Sequence, residues 1–204
     1  MTPTRPDFHE LAATRQSIRE FTDEDIPTEV VRRLLRSACR APSAHNRQPW
    51  RFVVLTRGTQ RVRLVESMSR RFRADLERDN VPEEKIEVLV ERGRRRLLDP
   101  PLAILLCMTM EDMDDYPDPK RSQAERAMAV QSTALAGGHL LLAAHAEGLG
   151  ACWVCAPLFT PEIVRQELDL PDSWEAQGVV ILGEPAESGR DRSRRPVEEV
   201  TVWR

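Results

Sequence analysis

Apolar positions recur along the chain at two periods, and the alternation between them lays out the elements. Phe8, Leu11 and Ala12 predict a short first helix ending near Thr14. From Pro27 to Arg40, Val30, Val31, Leu34, Leu35 and Ala38 fall at helical spacing, with Pro27 suited to the first turn. Phe52 to Leu55 is a short apolar run that predicts a buried strand. Two charged amphipathic helices follow, Gln60 to Val81 (Leu64, Met68, Phe72, Leu76) and Pro82 to Leu98 (Ile86, Leu89, Val90). Leu102 to Met108, after two prolines, predicts a central strand. Arg121 to Gly148 predicts a long central helix with a stripe of Met128, Leu135, His139, Leu142 and Ala146. Small residues (Ala134, Ala136, Gly137, Gly138) would let it pack closely, and so broad an apolar surface calls for a partner helix, most simply from a symmetric dimer. A strand over Leu149 to Val154, a helix over Pro161 to Leu168 and a strand over Gly178 to Gly183 complete the pattern.

Composition narrows the function classes. With 204 residues the chain supports one domain with a real core, expected to span 1–204. Its 30 basic and 33 acidic side chains are interspersed for a net charge of −3, which gives no field for nucleic acid. The first residues lack an apolar signal core, and Ala127 to Ala146 is interrupted by Gln131, Ser132, Thr133, His139 and His145, so no membrane span is expected. The expectation is a soluble, cytoplasmic protein. Cys152 and Cys155 form a Cys-x-x-Cys pair without the strand–helix setting of a redox motif or two further zinc ligands, and are read as buried small hydrophobes. The arginines between Arg70 and Arg96 are interleaved with acids and read first as a salt-bridged surface, second as a contact for an anionic substrate.

Two stretches carry candidate chemistry. Between the second helix and the first strand lies Ala41-Pro42-Ser43-Ala44-His45-Asn46-Arg47-Gln48-Pro49-Trp50-Arg51. Pro42 and Pro49 restrict the backbone at its ends, and Ser43, Asn46 and Gln48 offer hydroxyl and amide groups that suit a flat heterocycle. Upstream, Arg15-Gln16-Ser17-Ile18-Arg19 in extended form would put Arg15, Ser17 and Arg19 on one face. Two guanidinium groups flanking a hydroxyl make a phosphate clamp.

Ala-Pro-Ser-x-x-Asn-x-Gln-Pro-Trp-x-Phe resembles the signature of the nitroreductase family of FMN-dependent oxidoreductases, and Arg15 to Arg19 resembles the element that holds the FMN phosphate and ribityl chain there. The order from the long helix through Leu149-Gly150, Cys152-Trp153 and Gly183-Glu184-Pro185 is similar as well. The resemblance implies an α+β fold, a mainly antiparallel sheet surrounded by helices, in an intertwined homodimer with FMN at each interface. It implies cofactor contacts from Arg15, Gln16, Ser17 and Arg19, from Pro42, Ser43, Ala44, Asn46 and Gln48 toward the flavin of the other subunit, and from Cys155, Ala156 and Pro157 mainly through main chain. Arg190 to Arg195 and Pro196 to Val200 are similar to a phosphate-contacting tail and terminal strand, with Arg194 and Arg195 the positional matches, on an arm of about 186–204 reaching the partner. No catalytic side chain and no metal are implied.

Within the family, Tyr116-Pro117-Asp118, Ala124-Glu125, Gly148 to Trp153 and Leu170 to Glu175 are similar to the FMN reductase domain that follows the glutamate ligase in the coenzyme F-420 biosynthesis protein. This implies reduction of a dehydro-deazaflavin, with NAD(P)H or reduced deazaflavin as donor and transfer in two half-reactions. A general NAD(P)H-dependent nitro or quinone reductase, an oxygen-dependent flavin-fragmenting enzyme and a non-catalytic flavin-binding protein stand as alternatives. No Gly-x-Gly-x-x-Gly or Walker loop is present, so a nicotinamide donor would visit the flavin directly.

Overall fold

The computed structural model describes residues 7–189 and 192–204. Four strands form one sheet in the order β1-β2-β4-β3, every pair antiparallel: β1 Trp50–Thr56, β2 Leu102–Met108, β3 Gly150–Val154 and β4 Glu175–Gly183. Seven helices surround it: α1 Phe8–Thr14, α2 Thr28–Ala38, α3 Thr59–Arg78, α4 Glu83–Leu98, α5 Pro119–Ala146, α6 Pro161–Glu167 and the single turn α7 Val197–Val200. The expected α+β architecture is present.

Helices cover both faces of the sheet, which is why its strands read as apolar runs instead of alternating. In β2 all seven residues are buried. Ala103, Leu105 and Cys107 pack toward α3, α4 and α6 with Leu64, Met68, Leu97 and Val164. Leu102, Ile104 and Leu106 pack toward α2 and α5 with Leu34, Ala38, Leu140 and Ala144. Burial pushes the Cys107 thiol up to about 12, with Glu175 adding to the shift. A register shift between Leu106 and Cys107 leaves Gln177 of β4 as the extra residue of a bulge.

The long helix α5 is apolar enough to span a membrane by composition, yet it touches all four strands. Its core face is built from small residues: Ala129, Ser132, Thr133, Ala136, Gly137 and Ala144, with Leu140. The larger stripe read from the sequence lies on the other side, where Leu135 is 48% exposed and Met128, His139 and Leu142 are half-buried. Small side chains bring the helix axis close to the sheet, and the large ones are left for another surface.

Trp153 fixes that close approach. A Cβ on Gly137 of α5 would lie 2.1 Å from its Cζ3, and a Cβ on Gly178 of β4 would lie 2.5 Å from Cε2 and Cζ2. The indole occupies the space that two missing side chains leave between helix and strand.

Two expectations are corrected. The terminal segment Val197–Val200 is one turn of helix, not a strand: no sheet neighbour within the chain pairs with it, and Pro196 leads into a local turn closed by Glu199 N–H donating to Pro196 O at 3.1 Å. Cys155 is exposed, so only Cys152 fits the buried reading of that pair. Among the described residues no group of His, Cys, Asp and Glu can hold a metal. Many arginines of α3 and α4 are paired, Arg73 with Glu83 and Glu87 and Arg94 with Glu66 across the hairpin, and Arg73 with Glu77 and Arg71 and Arg78 with Asp75 within α3. That is the salt-bridged surface, and it leaves little charge for an anionic substrate.

Gly137→Ala gains about 1 kcal/mol of helix propensity but must displace the indole or the helix, an overpacking cost of about 1–3 kcal/mol. A net loss of stability in urea unfolding is expected. Combining it with Trp153→Leu should cost less than the sum of the two single changes, since both act on one contact.

Candidate functional site

The predicted clamp forms a groove. After α1 ends, Arg15 turns extended (φ −61°, ψ 125°). The chain is then tied to the sheet edge by Ile18 N–H donating to Ala151 O at 3.1 Å and by a bridge between Ser17 and Ala151. Further on, Thr22 N–H donates to Glu184 O and Ala186 N–H to Glu20 O, which brings the segment after β4 alongside. Between them lies a groove of about 960 Å³ lined by Arg15, Gln16, Ser17, Arg19 and, from the tail, Ser188, Gly189 and Arg194. Among the described residues, Arg15, Arg19 and Arg194 have no carboxylate partner; Arg19 reaches Ser17 O at 3.3 Å and Arg194 reaches Arg192 O at 2.8 Å, both backbone oxygens. Arg195 is exposed beside them without lining the groove, and Arg190 of the basic tail lies outside the described residues.

The polar loop 41–49 lies at a different cavity, of about 890 Å³, lined by Asn46, Gln48, Cys39, Trp50, Phe52 and Trp174. Pro42 is exposed, and Ser43 and Ala44 are half-buried behind the rim. Three of its non-glycine residues have left-handed backbone: His45 (φ 49°), Asn46 (φ 55°) and Gln48 (φ 49°). Such a conformation costs about 1–2 kcal/mol for most residues and less for Asn. It persists because the loop is held at many points. Gln48 N–H donates to Ser43 Oγ at 3.0 Å, Ala44 N–H to Ser132 Oγ at 3.2 Å, and Thr109 N–H to Pro49 O at 2.9 Å. Arg47 pairs with Asp114, and Arg51 pairs with Asp112 at 2.8 Å.

The third set, Cys155, Ala156 and Pro157, forms the turn that leaves β3 and lines neither cavity. Trp153 Nε1–H donates to Cys155 Sγ at 3.2 Å, so the wedge that seats the helix also seats this turn. The structure therefore places the candidate residues in three groups: the groove at Arg15 to Arg19, the loop 41–49 and the turn after β3. The first two groups line separate cavities.

Several contributors were given no structural role from the sequence. Trp174 walls the loop cavity, and beside it Glu175 takes both terminal nitrogens of Arg126. Glu125 is fully buried in α5 and accepts Asp114 N–H at 3.2 Å, while its Oε2 has no partner among the described residues. Arg61 is buried with Nε donating to Leu97 O at 2.7 Å; burial, then the neighbouring Arg57, lowers it to about 10. Charged residues on helices are ordinarily solvated, so nothing in the pattern marked Glu125 or Arg61 as interior.

Comparison with known proteins adds the following. A family model described as the nitroreductase family matches residues 12–184. The chain is 29% identical to an NADH dehydrogenase of Thermus thermophilus, over 97% of this chain and 96% of that protein. It is 31% identical to a 5,6-dimethylbenzimidazole synthase of Rhodospirillum rubrum, over 85% and 79% of the two chains. Its fold is similar to a structure from Desulfovibrio desulfuricans described as a nitroreductase in complex with FMN, with a TM-score of 0.76, 25% identity and 98% of each chain covered.

The Arg126 guanidinium holds the Glu175 carboxyl below the usual glutamate range. A carboxylate of lowered pKa adds stability above its unfolded pKa of about 4.5, and that increment is lost as pH falls through the folded value. Wild-type stability should therefore drop more steeply than that of Glu175→Gln as pH falls from about 5 to about 3, through and below the unfolded value. The difference should be about 0.5–1 kcal/mol, because the pair is partly solvent-screened, and acid titration of thermal unfolding measures it.

Proposed function

The chain belongs to the nitroreductase family, and from that premise we propose that it is an FMN-dependent oxidoreductase taking electrons from an NAD(P)H-type donor. The observation that carries this reading is the set of arginines, Arg15, Arg19, Arg192 and Arg194, that line one groove beside the Ser17 hydroxyl and, among the described residues, form no ion pair, although Glu20 and Glu187 line it too. A phosphate fits that donor set: guanidinium groups bind its oxygens bidentately, and a hydroxyl can add a further bond. Arg15, Gln16, Ser17, Arg19, Arg194 and Arg195 would hold the phosphate and ribityl end. Cys155, Ala156 and Pro157 would present backbone to the ring. Bound FMN would supply hydride chemistry that no side chain here provides.

The ring-facing loop opens on a separate cavity, so Pro42, Ser43, Ala44, Asn46 and Gln48 are assigned to the flavin of a second copy. Three features support a homodimer: the exposed Leu135 and half-buried Met128 and Leu142 on α5, the separation of the two half-sites, and the exposed apolar arm with Val197, Val200, Val202 and Trp203 at 61–86% exposure. Donor and acceptor then use one opening in turn, and the protein's contribution is placement, exclusion of water and electrostatics. Removal of residues 196–204 should shift the protein toward monomer in sedimentation velocity; an unchanged dimer would refute the arm's role.

For the acceptor, a dehydro-deazaflavin is supported by the similarity of Tyr116 to Asp118 and Leu170 to Glu175 to the coenzyme F-420 branch, and by Trp174 of that stretch walling the loop cavity. The second reading is flavin fragmentation, supported by the 31% identity to a 5,6-dimethylbenzimidazole synthase. Purified protein supplied with FMN should show a bound flavin spectrum, release FMN on heating, and be bleached anaerobically by NAD(P)H or by reduced deazaflavin. Fragmentation of the flavin after reduction in air would select the second reading. A flavin that no donor reduces would leave a binding protein.

Arg15→Ala and Arg19→Ala should each weaken FMN binding by about 10- to 100-fold, the loss of one charge-assisted contact. Fluorescence titration of apo-protein with FMN measures it. Riboflavin, which lacks the phosphate, should bind the wild type and both variants with similar, weak affinity.

A further inference from the structure

We infer that Ser132, in the middle of α5, is a positioning residue for the strained loop 43–48, setting the placement of the loop's ring-facing groups without touching a ligand itself. The inference rests on assigning that loop to the flavin and acceptor, as proposed above. Ser132 is 3% exposed, and its hydroxyl is fully used: it donates to Met128 O at 2.7 Å and accepts Ala44 N–H at 3.2 Å. Ala44 begins the short 3-10 turn Ala44–Asn46 that contains two of the three left-handed residues, and Gln48 follows two positions after that turn.

Backbone of this kind is kept only where its surroundings over-determine it. The ties inside the loop, such as Gln48 N–H to Ser43 Oγ, fix its shape but not its place on the fold. Place is set by bonds to other elements, and α5 contributes at two levels. Ser132 grips Ala44 directly. Seven residues earlier, two helical turns down the same buried face, Glu125 accepts Asp114 N–H, and Asp114 pairs with Arg47 of the loop. The helix whose small residues seat against the sheet thereby transfers its position to Asn46 and Gln48.

Thr133 supplies a matched control. It is the next residue on the helix, fully buried, and its Oγ1 has no hydrogen-bond partner among the described residues. Ser132→Ala and Thr133→Ala both delete a buried hydroxyl from one turn of one helix, the second together with a methyl group, and only the first releases the loop.

The experiment compares wild type, Ser132→Ala, Ser132→Thr and Thr133→Ala. In apo-protein, hydrogen exchange at the Ala44 amide should accelerate about 3- to 10-fold in Ser132→Ala, the loss of one neutral hydrogen bond, with Thr133→Ala unchanged. In FMN-loaded protein, Ser132→Ala should shift the bound flavin spectrum and raise the acceptor KM more than it lowers kcat, and Ser132→Thr, which keeps the hydroxyl, should restore both. Should Ser132→Ala not fold, Ser132→Cys keeps the volume with only a weak acceptor, and the same exchange and KM changes are expected of it. Equal effects of Ser132→Ala and Thr133→Ala, or unchanged exchange at Ala44, would overturn the inference. Failure of the wild type to bind FMN would instead refute the function proposed above, and the exchange measurement would still decide the role of Ser132.

Discussion

The contact on which the candidate site depends is the Trp153 indole lying against the bare Cα atoms of Gly137 and Gly178. It joins three elements that are distant in sequence: the long helix, the edge strand β3 and the inner strand β4. An aromatic side chain buries a large area, and here the opposing surfaces are backbone, so neither can shift without opening a void. The helix is thereby held at a distance where Ser132 can reach the loop after α2. The same residue's Nε1–H holds Cys155, so the turn leaving β3 is set by the same wedge.

Charge is arranged around this frame by pairing. Arginines at the hairpin of α3 and α4, at the loop and the start of β1 (Arg47, Arg51) and on α5 (Arg126) meet carboxylates on neighbouring elements. Exposed pairs of this kind contribute little to stability one by one. Their value is positional, since Arg51–Asp112 and Arg47–Asp114 join the loop to the segment after β2. Against that background the groove stands apart: Arg15, Arg19, Arg192 and Arg194 line it together with Glu20 and Glu187, and among the described residues none of these arginines forms an ion pair, in a protein carrying more acids than bases. Like charges held together cost free energy unless an anion joins them, which is the physical ground for reading the groove as a phosphate site.

Much of this was legible in the chain. β2 spans Leu102–Met108 as its apolar run predicted, because a strand buried on both faces has no polar position to blur its ends. Arg15, Ser17 and Arg19 do line one groove, but Gln16 and Ile18 line it as well, so the alternation of extended backbone did not sort them. Less legible was anything decided by the far side of a contact. Leu135 and Met128 look like core residues in helical projection, yet the core face of α5 is the small-residue one, since the approach of a helix to a sheet is limited by its largest side chains. Cys155 looked like its buried neighbour Cys152, but the chain has already left β3 there and enters a turn. Glu125 and Arg61 carry charges that composition assigns to solvent, and each meets a tertiary neighbour, the Asp114 amide for Glu125 and the end of α4 for Arg61, which local sequence does not encode.

The C-terminal segment shows why the same limits apply to the structure of a single chain. Val197–Val200 resembles a terminal strand in sequence and forms one helical turn here. A strand exists only where a neighbour accepts its hydrogen bonds. Within this chain the segment has none, and a local turn satisfies the backbone instead. Its apolar side chains remain exposed, with Trp203 at 86%. The large face of α5, the loop with its outward amides and this arm are three surfaces that one chain leaves uncovered, and in the proposed dimer a second copy answers all three. On that view the strained loop, the partnerless arginines and the unpaired arm have one cause: each is half of a site whose other half lies on the neighbouring copy.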